Sequence, residues 1–182
     1  MSTLDIITDG VKIENNNIYA HYNHELNTVE FNNLTKKYEI KLETSSYTLK
    51  TDLNVPKVGL MLVGWGGNNG STLTAAIIAN RNRLSWNTRR GVQKANYFGS
   101  LMLSSTTKIG VNSVGEDVYV PINTLLPMLN PNDLVLGGWD ISKLNLAEAM
   151  DRAQVLEPEL KKKLYDEMKL LNPLPSIYYK VY

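Results

Sequence analysis

The chain has 182 residues, 43 % of them hydrophobic, with a formal net charge of +1 and no cysteine. That length suits one domain, or one domain with a small appendage, and the apolar share is enough for a core. Near-neutral charge argues against a disordered charged tail and against a strongly basic nucleic-acid binder, and the lack of cysteine excludes disulfides, thiolate metal sites and a cysteine nucleophile.

Residues 1–10 carry no basic stretch followed by an apolar run, so no secretory signal is expected there. The longest apolar run, 58–65, is too short to span a bilayer. The expectation is a soluble intracellular protein without membrane or nucleic-acid partners. Residues 38–43 and 47–50 alternate apolar and polar and read as two short strands across a Thr-Ser-Ser connection; the asparagines at 15–17 and 32–33 read as turns. His21 and His24 stand three apart in an extended segment, hence on opposite faces, and without a third ligand they do not suggest a metal site.

After Pro56 the character changes. Residues 58–63, Val-Gly-Leu-Met-Leu-Val, form a continuous apolar run of the kind a strand buried on both faces of a parallel sheet needs. A glycine turn at 64–70 and a helix over 71–83 follow, and together they open a βαβ unit. The stretch 81–94 reads as a basic loop, and 107–120 as a hairpin turning at 112–117. A second buried strand is expected at 134–136, ending at Gly137-Gly-Trp-Asp140. A helix should begin at Asn145, with Glu148 three residues on in a capping-box arrangement. Another should begin near Pro158 and run to about Leu171, with Leu160, Leu164, Met168 and Leu171 on one face.

Eleven of the twelve glycines fall between Gly59 and Gly138, and residues 53–115 carry seven basic residues and no acid. Gly64, Gly66, Gly67 and Gly70 permit close backbone approach, and the expected helix aims free N–H groups and its positive dipole end at the turn. This is the logic of a pyrophosphate cradle. The spacing is one residue off G-x-G-x-x-G, with Asn69 where the third glycine would stand, and Ser71 replaces the lysine of a Walker A loop; a dinucleotide is favoured. The same residues also suit a tight strand-to-helix turn with glycines for packing. Asn68 and Asn69 can donate to phosphate or ribose oxygens, or cap the helix. The ribose-binding acid expected about 20 residues past the glycines is absent; Asp140, at the end of a strand, is the next candidate, with a loop or cap carboxylate as its other reading. The basic stretch either attracts an anionic ligand or is a buried segment plus a solvated loop. Trp65, Trp86 and Trp139 read as packing residues.

Four motifs, Gly64-Trp-Gly-Gly-Asn-Asn-Gly-Ser-Thr72, Asn96-Tyr-Phe-Gly-Ser100, Gly138-Trp-Asp-Ile141 and Pro175-Ser-Ile-Tyr-Tyr179, resemble in order and spacing those of eukaryotic myo-inositol-1-phosphate synthase. The resemblance implies an α/β fold: an incomplete Rossmann-type NAD-binding domain over 57–182 behind a β-rich N-terminal segment over 1–56. It implies conversion of D-glucose 6-phosphate to 1D-myo-inositol 3-phosphate with NAD used and regenerated in one turnover, in a cytoplasmic homotetramer that starts inositol and phospholipid synthesis. By matching positions it places Gly66, Gly67, Asn68, Asn69 and Asp140 on NAD, and adds Ser176 and Ile177. The family commonly continues the second motif with Leu-Thr-Gln, whereas Leu101-Met-Leu103 follows here. Family members also extend several hundred residues beyond the fourth motif, and the catalytic lysines and phosphate site belong to that extension. No catalytic residue is therefore assigned within the 182 residues, and on their own they are expected to be inactive. A non-catalytic NAD-binding or subunit-pairing role is the alternative.

Overall fold

A computed structural model describes residues 5–101 and 103–177. They fall into two compact units, one of residues up to Val55 together with Asn123–Pro127, the other of Pro56–Ile122 and the residues from Met128 on.

The first unit is a three-stranded antiparallel sheet of β1 (Val11–Glu14), β2 (Asn17–Asn32) and β3 (Lys37–Asp52), in that spatial order. Asn15 and Asn16 turn the chain between β1 and β2 at positive φ, a conformation asparagine tolerates better than most residues. Asn32 Oδ1 accepts the N–H groups of Leu34 and Thr35 and shapes the second turn. The two strands expected at 38–43 and 47–50 are one continuous strand of 16 residues. The Thr-Ser-Ser connection stays in register because β2 runs unbroken beside it: His24 faces Ser45, and Ser46 Oγ bonds to Asn23 Oδ1 at 2.8 Å. Its apolar residues change face along the ribbon. Tyr22, Leu26, Tyr47 and Leu49 share one face, while Val29, Phe31, Tyr38, Ile40 and Leu42 share the other nearer the turn, and all are exposed.

The second unit holds the parallel sheet. Strands β4 (Gly59–Val63), β9 (Val135–Asp140) and β10 (Leu174–Pro175) lie in the order β10-β9-β4. Between β4 and β9 come α1 (Asn68–Arg81), the hairpin of β5 (Ser85–Thr88) and β6 (Gly91–Lys94), the hairpin of β7 (Thr106–Val111) and β8 (Asp117–Pro121), and the short α2 (Ile122–Leu125). Helices α3 (Leu146–Ala153) and α4 (Pro158–Lys169) follow β9. Trp65, Ala75, Ile78, Leu146, Met150, Leu160, Leu164 and Met168 form one core with Leu62 and Leu136 of the sheet packed against it.

Four expectations change in this unit. The basic stretch 81–94 is largely the β5–β6 hairpin, turning through Arg89 and Arg90, rather than a loop. Helix α1 begins three residues earlier than expected, at Asn68, with Gly70 inside its first turn. The second strand does not end at Gly137; both glycines lie within β9 and pair with Met61 and Leu62. A side chain at Gly138 would collide with the Leu62 carbonyl and with Trp65 Cβ, so only glycine lets β9 run this close to β4 and the indole. Finally, the strand expected to be buried on both faces is covered on one. The helices take the Leu60 and Leu62 side, while Met61 and Val63 on the other side are 48 % and 88 % exposed, as is Trp139 in part, because no described element of this unit lies over them. The α3 capping box forms as the sequence suggests: Asn145 Oδ1 accepts from Glu148 N–H and Glu148 Oε2 from Asn145 N–H, both at 3.0 Å.

Candidate functional site

The C-terminal ends of β4 and β9 lie side by side, Val63 opposite Trp139, and the glycine turn leaves β4 at that edge. The first part of the turn is tied down. The N–H groups of Gly64 and Trp65 both donate to the Trp139 carbonyl, at 2.8 and 3.0 Å, and Gly67 N–H closes the turn on Gly64 O at 2.9 Å. Gly64 accommodates φ +78°, and a Cβ on Gly70 would sit 2.8 Å from Trp65 Cα, closer than real side chains come. The buried Trp65 indole N–H donates to Thr74 Oγ1, which donates to Gly70 O, both at 2.8 Å, so the turn is fastened to the body of α1. Trp65 is thus a packing residue as expected. Trp139, by contrast, lies on the uncovered sheet face.

Helix α1 has no side-chain cap: its N-cap residue is Gly67, and neither Asn68 nor Asn69 caps it. The N–H groups of Asn68, Asn69 and Gly70 have no acceptor among the described residues, and the first turn holds no acidic side chain. They open on a groove of about 340 Å³ lined by Leu62, Val63, Gly64, Gly67, Asn68, Asn69, Gly70 and Leu73. Free helix N–H groups, the positive dipole end and exposed carboxamides at one rim suit an anionic diphosphate.

Asp140, 7 % exposed, stands at the end of β9. Its Oδ2 accepts Gly66 N–H and its Oδ1 accepts Ser142 N–H, each at 2.8 Å. Asp140 ends the parallel strand next to the glycine strand, and the two inserted hairpins account for its long separation in sequence from the glycines. Ser176 N–H donates to Asp140 O at 3.0 Å, which brings residues 176 and 177 to the same sheet edge, with Ser176 half-buried and Ile177 82 % exposed. Tyr178 and Tyr179 of the last motif lie outside the described residues.

Of the expected site residues, Gly67, Asn68 and Asn69 line the groove, while Gly66 and Asp140 are outside its lining and bonded to each other. The second motif is elsewhere. Asn80 Nδ2 donates to Asn96 O at the far end of α1, about 18 Å along the helix from Asn68 at 1.5 Å per residue. There Tyr97 donates to Asn132 Oδ1 at 2.7 Å, and burial, partly offset by Arg81, holds its hydroxyl above the usual tyrosine pKa. Arg81 donates to the carbonyls of Asn132 and Leu134, so this member of the basic stretch fastens the lead-in to β9. Sequence reading missed Arg152, whose Nη2 donates to Gly66 O at 2.7 Å. The only hint was an arginine in the last turn of a helix whose place was unknown.

Parallel strands, an uncapped helix after a glycine turn, and an acid ending the adjacent strand define a dinucleotide-binding α/β domain of Rossmann type. A family model described as myo-inositol-1-phosphate synthase, of its NAD-binding domain, matches residues 58–182, and the chain belongs to that family. It is 48 % identical over 180 residues to inositol-3-phosphate synthase of Sesamum indicum, covering 98 % of this chain and 35 % of that protein. It is 46 % identical over 177 residues to the Drosophila melanogaster enzyme, covering 97 % and 31 %. Among solved structures, inositol-3-phosphate synthase of Caenorhabditis elegans superposes with a TM-score of 0.89 at 41 % identity, covering 97 % of this chain and 34 % of that one. The chain thus spans about a third of the length of the curated relatives it matches. Among the described residues, no helix is long and apolar enough to cross a membrane.

Proposed function

We propose that the chain holds NAD for the inositol-3-phosphate synthase reaction, the conversion of D-glucose 6-phosphate to 1D-myo-inositol 3-phosphate. The observation that carries this reading is the uncapped start of α1 opening on a groove, with Asp140 ending the neighbouring parallel strand. The N–H groups of Asn68, Asn69 and Gly70 would take the diphosphate. Gly67 would permit its approach, and Gly66, whose N–H is already committed, would shape the turn. Asp140 would accept from the adenosine ribose with its remaining lone pairs, and Ser176 and Ile177 would border the cofactor. NAD would supply a hydride acceptor and, later in the turnover, a hydride donor. Residues 57–182 form the cofactor domain on this reading and residues 1–56 a β-rich segment before it. A cytoplasmic homotetramer serving inositol and phospholipid synthesis is the setting that family membership supports.

Calorimetry with NAD tests the proposal. The chain should bind NAD in preference to NADP, because a carboxylate at the ribose repels a 2′-phosphate. Asn69→Asp places a negative charge at the groove rim while suiting the helix dipole, so it should leave the unfolding midpoint unchanged or raised and weaken NAD about tenfold. Equal affinity in the variant would remove the phosphate from this helix end.

A further inference from the structure

The peptide joining Gly66 and Gly67 is gripped by a side chain of α3. Its N–H, that of Gly67, bonds to Gly64 O within the turn, whereas its carbonyl accepts a guanidinium N–H from Arg152 at 2.7 Å. Arg152 lies in the last turn of α3, three residues after Ala149 and so on the same face of that helix. A Cβ placed on Gly66 would be 3.7 Å from Ala149 Cβ, which shows this face of α3 resting against the turn. Neither Ala149 nor Arg152 nor Asp140 lines the groove.

We propose that Arg152 is a positioning residue for the dinucleotide, one that fixes the orientation of the Gly66–Gly67 peptide and so keeps Gly64 and Gly67 in place as the wall of the groove. Glycine on both sides leaves this peptide little steric resistance to flipping. A flip would break the Gly67–Gly64 bond and turn the carbonyl toward Gly64 O, where the N–H now points; the two oxygens would repel and displace the groove wall that Gly64 and Gly67 form. A charge-assisted bond is roughly twice as strong as a neutral one, so a guanidinium is an effective clamp. Asp140 grips the preceding N–H with the opposite charge, and the two side chains hold Gly66 at both ends of one residue. The proposal rests on the NAD reading for its consequence, but not for the clamp itself.

The test uses the full 182-residue chain with Arg152→Met and Arg152→Lys. Amide exchange by NMR, without cofactor, should show Gly66 and Gly67 exchanging about tenfold faster in Arg152→Met while Ile78 and Leu164 keep wild-type protection. Arg152→Lys should recover most of the difference. Calorimetry should show NAD weakened about tenfold or more by Arg152→Met and largely restored by Arg152→Lys. Unchanged exchange in the turn, or an equal loss of protection throughout the core, would overturn the clamp. A looser turn with unaltered NAD affinity would overturn its role toward the cofactor. Failure of the unaltered chain to bind NAD, with exchange responding as stated, would sink the NAD reading and leave the clamp standing.

Discussion

At the scale of single residues the site is organised by Asp140. Its two carboxylate oxygens each accept one backbone N–H, from Gly66 and from Ser142, in a buried position. Asn has the same shape but only one acceptor oxygen, so Asp140→Asn sets an NH₂ group against one of the two donors. Leaving a buried donor unsatisfied costs about 1–3 kcal/mol, and Asp140→Asn should lose that much stability in urea unfolding and bind NAD more weakly. An unchanged urea midpoint would mean that Asp140 does not hold the turn. Sequence alone named Asp140 from its place after an apolar run, but could not see that its partner lies 74 residues away at Gly66. Arg152 was invisible for the same reason: the bond it makes is to a backbone oxygen, which leaves no mark on residue type.

At the scale of elements, the signals that were legible are local ones. The Asn145–Glu148 capping box, the proline opening α4 and its stripe of Leu160, Leu164 and Met168 act within a few residues, and they form where expected. The β5–β6 hairpin was not legible, because its two-residue loop is Arg89-Arg90 and carries no asparagine–glycine signal. It is held by a tertiary anchor instead. Glu159 of α4 accepts from Asn87 N–H at 3.1 Å and Asn87 Nδ2 at 2.9 Å, and pairs with Lys163 at 2.9 Å. Lys163 first, and then the two Asn87 donors, pull the Glu159 pKa from 4.5 down to about 2. A carboxyl whose folded pKa lies below its unfolded value stabilises the fold above about 4.5, and that contribution disappears as pH falls toward 2. The urea midpoint of Glu159→Gln should therefore change less than that of the unaltered chain between pH 6 and pH 3. Glu159 is open to solvent, so the difference is small and shrinks as salt is added. Identical pH profiles would mean that the anchor contributes nothing.

At the scale of the whole molecule, the uncovered face of the parallel sheet is the feature that length and composition could not foretell. A 43 % apolar chain has enough hydrophobic residues for its core, yet Met61, Val63 and Val135 stand exposed on one side of the sheet, Val135 at 66 %. Parallel sheets ordinarily carry cover on both faces, and continuous apolar runs such as 58–63 are written for that condition. The local sequence thus records a burial that the described residues of its own unit do not supply. Contiguous apolar surface of this kind binds hydrophobic dyes and favours association. Val135 lies on this face, in the central strand and outside the groove lining, so a charge there changes the surface without touching the site. Val135→Lys should lower the fluorescence of an added hydrophobic dye and shift light scattering toward smaller species. Its unfolding free energy in urea should stay within about 0.5 kcal/mol of the parent value, as for an ordinary surface substitution. A large loss of stability with unchanged dye binding would show instead that Val135 is packed in solution and that this face is already covered.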